Sequence, residues 1–367
     1  MVLASVSLLP AVASAGLKVY EKDDVLLEFG MRLQPRAEYA RYPVGTGSDG
    51  QRDFLIRRAR LKMNGKVQGV SFGFEWKIDN TDFTSPATGA LSSGSAAVEN
   101  AWLQYPMGKV VSARAGLYDQ PFSRDRLTSD SRQLAVDRSI VSDVLAALGL
   151  TDNAVGLQLM GNMRGGHTQY AVGIFDNVAI AGRLQDVPMV VGRMDLNFGS
   201  TKDIFQDCHF GADKWYSIGV NGSYHGSLEN TAGTADDGSN AAAGVDGMID
   251  VPMGGGRVFV RGELIAVRRE QPGNTFEDNV TTRMIGAGFL AFKERLQPFI
   301  RFDQVRGDVA LINASVPYIG GVARDITYVG ANLYQKGHGL KIQGDVRFQS
   351  GTPDSVDGAR VQAQIDF

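Results

Sequence analysis

Four cations stand on one face of a segment with a two-residue period: Arg58, Arg60, Lys62 and Lys66, with Ala59, Leu61, Met63 and Val67 on the other. Arg32 and Arg36 share one face of an earlier segment, and Arg124 and Arg126 stand two apart in a long connection. Guanidinium groups keep their charge and present forked donors that match carboxylate and phosphate oxygens. Set around a narrow aqueous passage, such groups select anions, and several weak contacts let an ion leave as readily as it arrives. Each arginine also has a structural reading, an ion pair inside the molecule with Glu28, Glu38, Glu75 or Asp79.

Other chemistries lack their residues. The four histidines, His167, His209, His225 and His338, are scattered, and none adjoins a recognisable nucleophile motif, which argues against a hydrolase. Cys208 is the single cysteine, so no intrachain disulfide can form, and Cys208-His209 lacks further zinc-ligand spacing. No metal site and no cofactor are expected. A net charge of −3 argues against a nucleic-acid partner.

The cations need elements that alternate in and out. The chain ends on Arg360-Val361-Gln362-Ala363-Gln364-Ile365-Asp366-Phe367, apolar at every second side chain, and this pattern recurs in segments of about ten residues. Leu27, Phe29, Met31 and Leu33 oppose Glu28, Arg32, Gln34, Arg36 and Glu38, and Phe72, Phe74, Trp76 and Ile78 oppose Ser71, Glu75, Lys77 and Asp79. With 54–67, these make three strands. Thirteen more are expected near 97–105, 109–118, 153–163, 167–176, 188–199, 215–226, 244–252, 257–269, 280–292, 297–306, 324–335, 339–350 and 358–367. Short turns such as Gln68-Gly69 and Gly254-Gly255-Gly256 alternate with long polar stretches near 41–53, 80–96, 119–152, 177–187, 227–243, 270–279, 307–323 and 351–357. Residues 200–214 should be a short turn and are too long for one.

Long alternating strands with short turns at one end and long connections at the other describe an all-β transmembrane antiparallel β-barrel of about sixteen strands. A strand of about 9–11 residues crosses a bilayer, whereas strands of soluble proteins average about 5–6. No apolar run reaches the ~20 residues of a spanning helix. The face that meets water follows from energy. A cation on the lipid face costs roughly 2–4 kcal/mol at the midplane, so Arg58, Arg60 and Lys62 must point into the lumen. Aromatics near strand ends (Tyr39, Tyr42, Tyr105, Trp215, Tyr216, Phe292, Phe299, Tyr334, Phe348) suit girdles at the membrane interfaces. Residues 1–15 end in Ala13-Ser14-Ala15 and read as the back of a secretory signal without its basic start, leaving 16–367 as the barrel.

The longest connection, Asp119 to Asp152, mixes charged and apolar clusters, among them Val144-Leu145-Ala146-Ala147-Leu148. It is expected to fold into the lumen and narrow the pore. Its opening run, Gly116-Leu117-Tyr118-Asp119-Gln120-Pro121-Phe122-Ser123-Arg124-Asp125-Arg126-Leu127-Thr128-Ser129, followed by Asp137-Arg138-Ser139, resembles the third-loop motif of the phosphate-selective porin O and P family. Arg57-Arg58-Ala59-Arg60-Leu61 and Ala101-Trp102-Leu103-Gln104-Tyr105 resemble that family too. The resemblance implies a sixteen-stranded, homotrimeric porin of the Gram-negative outer membrane that favours anions, with Arg58 as the strand cation and Arg126 as the central loop cation. The family often has Gln at the position of Leu117 and Lys at that of Asp119.

The expected anion path is lined by Arg32, Arg36, Arg58, Arg60, Lys62, Arg124 and Arg126. Its expected partners are small anions such as phosphate, and outer-membrane lipid around the barrel. The alternative is a non-selective diffusion porin of the same architecture, in which loop acids facing wall bases give a transverse field and little selectivity. A soluble secreted β protein is a third reading, which detergent-independent solubility would reveal.

Overall fold

The computed structural model describes residues 16–44, 47–79, 95–176, 188–199, 204–228, 238–270, 277–307, 324–350 and 358–367. The expected signal segment 1–15 and most of the later long connections lie outside the described residues.

All sixteen expected strands form. They are β2 (Val25–Val44), β3 (Gly47–Val67), β4 (Val70–Asp79), β5 (Ser95–Pro106), β6 (Ser112–Asp119), β7 (Asn153–Met163), β8 (Thr168–Asp176) and β9 (Met189–Gly199). They continue with β10 (Trp215–Leu228), β11 (Gly238–Met253), β12 (Gly256–Glu270), β13 (Glu277–Leu290), β14 (Leu296–Gly307), β15 (Arg324–Lys336), β16 (Leu340–Ser350) and β17 (Gly358–Asp366). Each pairs antiparallel with its neighbour in sequence, and β17 pairs with β2 from Gly358↔Ala40 to Asp366↔Arg32. The sheet therefore closes, which leaves no open edge in the membrane.

A seventeenth strand was not expected. β1 (Leu17–Lys22) turns through Asp23-Asp24 and pairs with the start of β2, Leu17 opposite Phe29. The Met31 N–H donates to the Phe367 carbonyl at 2.9 Å, directly beyond that pairing. β1 and β17 thus lie end to end along β2, and β1 extends the closing seam past the last residue.

The turns follow the sequence signals. Gln68 and Gly69 both have positive φ, 49° and 86°, as a two-residue hairpin of the twisted type requires. The connection expected at 41–53 is different. β2 and β3 stay paired out to Val44↔Gly47, so this stretch is a long hairpin rather than a loop. Backbone pairing needs no apolar side chains, so polar composition alone did not exclude it.

Side-chain parity is inverted relative to a soluble protein. Leu61 is 55% exposed on the outer face, whereas Arg58, Arg60 and Lys62 beside it are buried in the lumen. Three of the expected girdle aromatics face inward instead: Trp215, Phe299 and Tyr334 are buried, while Tyr105, Tyr216, Phe292 and Phe348 are exposed. The reason is parity, since Trp215 and Tyr216 are adjacent and cannot share a face.

One irregularity changes the lumen. Gln34 pairs with Arg58 but Pro35 pairs with Ile56, which leaves Arg57 as an extra residue. Proline has no N–H for the ladder, and a bulge on the partner strand is the usual accommodation. The bulge sends Arg57 inward with Arg58 and turns Ile56 and Phe54 outward, where Phe54 is 85% exposed.

Two segments fill the lumen. The long connection after β6 folds inward and carries α1 (Arg124–Leu127), a single 3-10 turn at Asp130–Arg132 and α2 (Ile140–Ala147). Ser139 caps α2, its Oγ accepting from the Ser142 N–H at 3.4 Å. Ile140, Val141, Val144, Leu145 and Leu148 are buried against Phe259, Ile265 and Val267 of β12, Val280 and Met284 of β13 and Val305 of β14. The second segment is the over-long connection between β9 and β10. Its described part, 204–214, folds up from the short-turn end. Asp207 accepts from the Leu134 N–H at 2.7 Å and its own N–H donates to the Arg132 carbonyl at 2.9 Å, so the two segments meet inside the barrel.

Candidate functional site

The loop packs on one side and leaves the other open. Two cavities remain between it and the wall. The inner one, toward the short turns, has a volume of about 260 Å³ and is lined from Arg32 on β2 round to Asp195 on β9. The outer one, toward the long connections, is about 330 Å³ and is lined by Arg57 and Arg58 of β3, Arg347 of β16, Arg360 of β17 and loop residues including Arg126 and Asp137. Both linings include Arg60, Glu99, Asp130 and Arg138. The narrowing between them is therefore built by two wall residues and two loop residues.

Asp130 is the hub of this narrowing. Its carboxylate accepts Arg58 at 3.0 Å and Arg60 at 3.4 Å, lies 3.8 Å from Arg32 and also pairs with Arg138. Burial pushes this carboxyl up, but Arg138, Arg58, Arg60 and Arg32 outweigh burial and hold it well below the usual carboxylate range. Asp137 repeats the arrangement at the outer cavity. Burial raises it, and Arg36, Arg57 and Arg360 bring it well below its ordinary value. Arg36 reaches Asp137 with two donors, each at 2.8 Å. The loop is thus clamped to the wall through carboxylates each shared by several cations.

The expected site residues separate into three groups. Arg32, Arg58, Arg60 and Lys62 gather at the narrowing or just inside it, and Lys62 donates to Asp366 at 2.7 Å. Arg126 lines the outer cavity and pairs with Asp119 at 3.3 Å and with Asp152. Arg36 holds Asp137 and lines neither of these cavities. Arg124 departs from expectation. It donates to Asp246, to Asp195 at 3.0 Å, to the Ser217 hydroxyl at 2.7 Å and to the Ile204 carbonyl at 2.8 Å, all on the far side. The α1 turn explains the split. Arg124 and Arg126 are two residues apart, which on a helix puts them on different faces, so Arg124 anchors the loop and only Arg126 meets the cavity.

The two readings of each arginine hold together. Arg60 lines both cavities and pairs with Glu75 at 3.1 Å, Asp79 at 2.9 Å and Glu99 at 3.3 Å. The expectation missed Arg57, Arg138 and Arg360, and the carboxylates Glu99 and Asp130. Arg138 stands in the Asp137-Arg138-Ser139 run, but Arg57 needed the bulge and Arg360 needed closure of β17 on β2.

The lining is electropositive in an acidic chain. The inner cavity has seven cations against five carboxylates among the described residues. The outer has eight against six.

Residues 29–203 match the family model for phosphate-selective porin O and P. An uncharacterized protein of Aquifex aeolicus is 27% identical over 168 residues, 43% of this chain, and the chain spans about 40% of the length of that curated relative. Solved structures with the same architecture include the outer-membrane channel DcaP of Acinetobacter baumannii (TM-score 0.61, 12% identity, 96% of this chain and 99% of that one). They also include a loop-deletion form of OmpT of Vibrio cholerae (TM-score 0.60, 11% identity, 94% and 100%) and OprB of Pseudomonas putida (TM-score 0.57, 12% identity, 92% and 94%). At such identities the likeness is one of fold.

Proposed function

We propose that this chain is an outer-membrane porin whose channel passes small anions, phosphate among them, in preference to cations, a reading supported by the match of residues 29–203 to the phosphate-selective porin O and P family. The observation that carries this reading is the excess of arginine and lysine in both cavity linings, although the whole chain has a net charge of −3. A solute crossing the narrowing passes Arg60 and Arg138 at once, then finds Arg32 and Lys62 inside or Arg57, Arg126 and Arg347 outside. Spaced cations of this kind favour entry without a single deep trap. Their pairing with carboxylates lowers the depth of each well further. Arg347 has no ion pair among the described residues and supplies an uncompensated charge to the outer cavity.

The family match supports phosphate through the guanidinium forks, whose donors suit its oxygens. One observation favours the non-selective alternative: Glu99 and Asp130 stand in the narrowing itself. Reversal potentials in planar bilayers separate the readings. Wild-type protein in a potassium chloride gradient is expected to favour chloride, and Arg347→Glu with Arg126→Glu to lower the chloride-to-potassium ratio. Equal passage of both ions in the wild type establishes the non-selective porin.

A further inference from the structure

We propose that the inner cavity selects organic anions that carry a planar apolar group beside their carboxylate, with Arg114 as the docking cation. This rests on the anion reading above and names a solute class within it.

The lining of the inner cavity is not what a small hydrated ion requires. Trp102 of β5, Tyr118 of β6 and Met160 of β7 contribute from the wall, and Pro121, Leu127 and Phe205 from the two infolded segments. Apolar surface gives no hydrogen bond to replace an ion's water, whereas it stabilises a ring that leaves water. The outer cavity has no such face: among its lining residues only Ile140, Ile326 and Tyr328 are apolar or aromatic.

Arg114 supplies the charge at this apolar face. Its guanidinium carbon lies 4.3 Å from the Trp102 ring centre and 5.5 Å from that of Tyr118. Its Nε and one Nη donate to the Gln104 amide oxygen at 3.0 and 2.7 Å. No carboxylate pairs with it among the described residues, in contrast to Arg60, Arg32 and Lys62 across the cavity. A guanidinium has five N–H groups, so donors remain for a carboxylate arriving from the lumen. The indole has its place because position 73 on the neighbouring strand is glycine. A Cβ there would lie 2.5 Å from Trp102 Cε2.

Charge and apolar surface are therefore adjacent on one wall, and the volume of about 260 Å³ suits one ring rather than a large ligand. An aromatic monocarboxylate meets both features at once. Its carboxylate faces Arg114 and its ring lies along the Trp102–Tyr118 surface.

Benzoate and acetate are the probes, since they share the carboxylate and differ in the ring. Permeability of each relative to potassium is measured from reversal potentials with the full-length protein in planar bilayers. The benzoate-to-acetate ratio is expected to exceed one despite the larger size of benzoate. Arg114→Gln is expected to lower the permeability of both anions relative to potassium, and Trp102→Leu to lower the benzoate-to-acetate ratio by about threefold, the order of an aromatic contact, with Trp102→Phe restoring part of it. A wild-type ratio at or below one, with chloride still favoured over potassium, overturns this proposal and leaves the anion reading intact. A ratio above one that Trp102→Leu leaves unchanged overturns the assignment to Trp102, and permeabilities of both anions that Arg114→Gln leaves unchanged overturn the assignment to Arg114. Equal passage of chloride and potassium overturns the anion reading itself.

Discussion

The two halves of the lumen differ in how much apolar surface they offer the infolded loop. From β3 to β7 the inward positions are mostly polar or small, among them Arg58, Arg60, Lys62, Ser71, Gly73, Glu75, Gln104, Arg114 and Gln158, with Trp102, Tyr118 and Met160 as the apolar exceptions. From β12 to β15 the inward positions include Phe259, Ile265, Val267, Val280, Met284, Phe299, Val305 and Ile326, set among charged residues such as Arg261, Glu263, Arg301 and Asp303. The infolded loop carries an apolar helix, α2, and buries it against the second half. There the ion pairs are anchors with both partners buried: Arg124 with Asp195 and Asp246, Arg261 with Asp207 and Asp125. Against the first half the loop shows charge, and its pairs border the two cavities. A pore of this kind therefore needs asymmetry in its wall. A lumen lined alike all round would either reject the loop or bind it everywhere and close.

The largest effect is expected from breaking an anchor. Arg124→Ala leaves Asp195 and Asp246 buried without that partner, which costs about 3–5 kcal/mol. The loop should loosen from the packed half, seen as a lower thermal unfolding temperature in detergent and as larger, noisier single-channel conductance. Unchanged conductance would show that the apolar helix holds the loop unaided.

A smaller effect is expected at the open half. Asp130→Asn removes the carboxylate shared by Arg32, Arg58, Arg60 and Arg138 and should raise the chloride-to-potassium ratio. A unit charge at ~4 Å in water is worth about 1 kcal/mol, hence a roughly fivefold change. A fall in the ratio would mean that Asp130 organises the cations more than it neutralises them.

The smallest effect is a pH response that should be missing. Asp130 and Asp137 have depressed folded pKa values, so the attachment they provide is fully present above the unfolded carboxylate value of about 4. It is lost only as pH falls through their lower folded values. Conductance and selectivity should therefore show no step from these groups between pH 8 and about 5. A step in that window that disappears in Asp130→Asn would contradict the clamp.

Much of this comparison could be read in the chain. The two-residue period located all sixteen barrel strands, because a strand between lipid and water has to alternate. The cations of β3 identified the wet face, because charge in lipid is too costly. The loop announced itself by carrying both charge and an apolar run. Other features have no local signature. The bulge that turns Arg57 inward arises from Pro35 on a different strand. The different fates of Arg124 and Arg126 depend on which wall the short α1 turn faces. Residues 200–214 were visible as too long for a turn, but the infolding of the described part, 204–214, depends on meeting Arg132 and Leu134 within the lumen.

By itself, then, the amino-acid order determined the sixteen strands of the closed barrel, their inside and outside, and the loop that enters them, since each is set by transfer between water and hydrocarbon over a few residues. Only the tertiary structure decided which side of the lumen stays open, which arginines become anchors and where Arg114 lacks a carboxylate. Those outcomes depend largely on pairings between residues distant in sequence, from 71 positions for Arg124 with Asp195 to 122 for Arg124 with Asp246, which the closed barrel brings together.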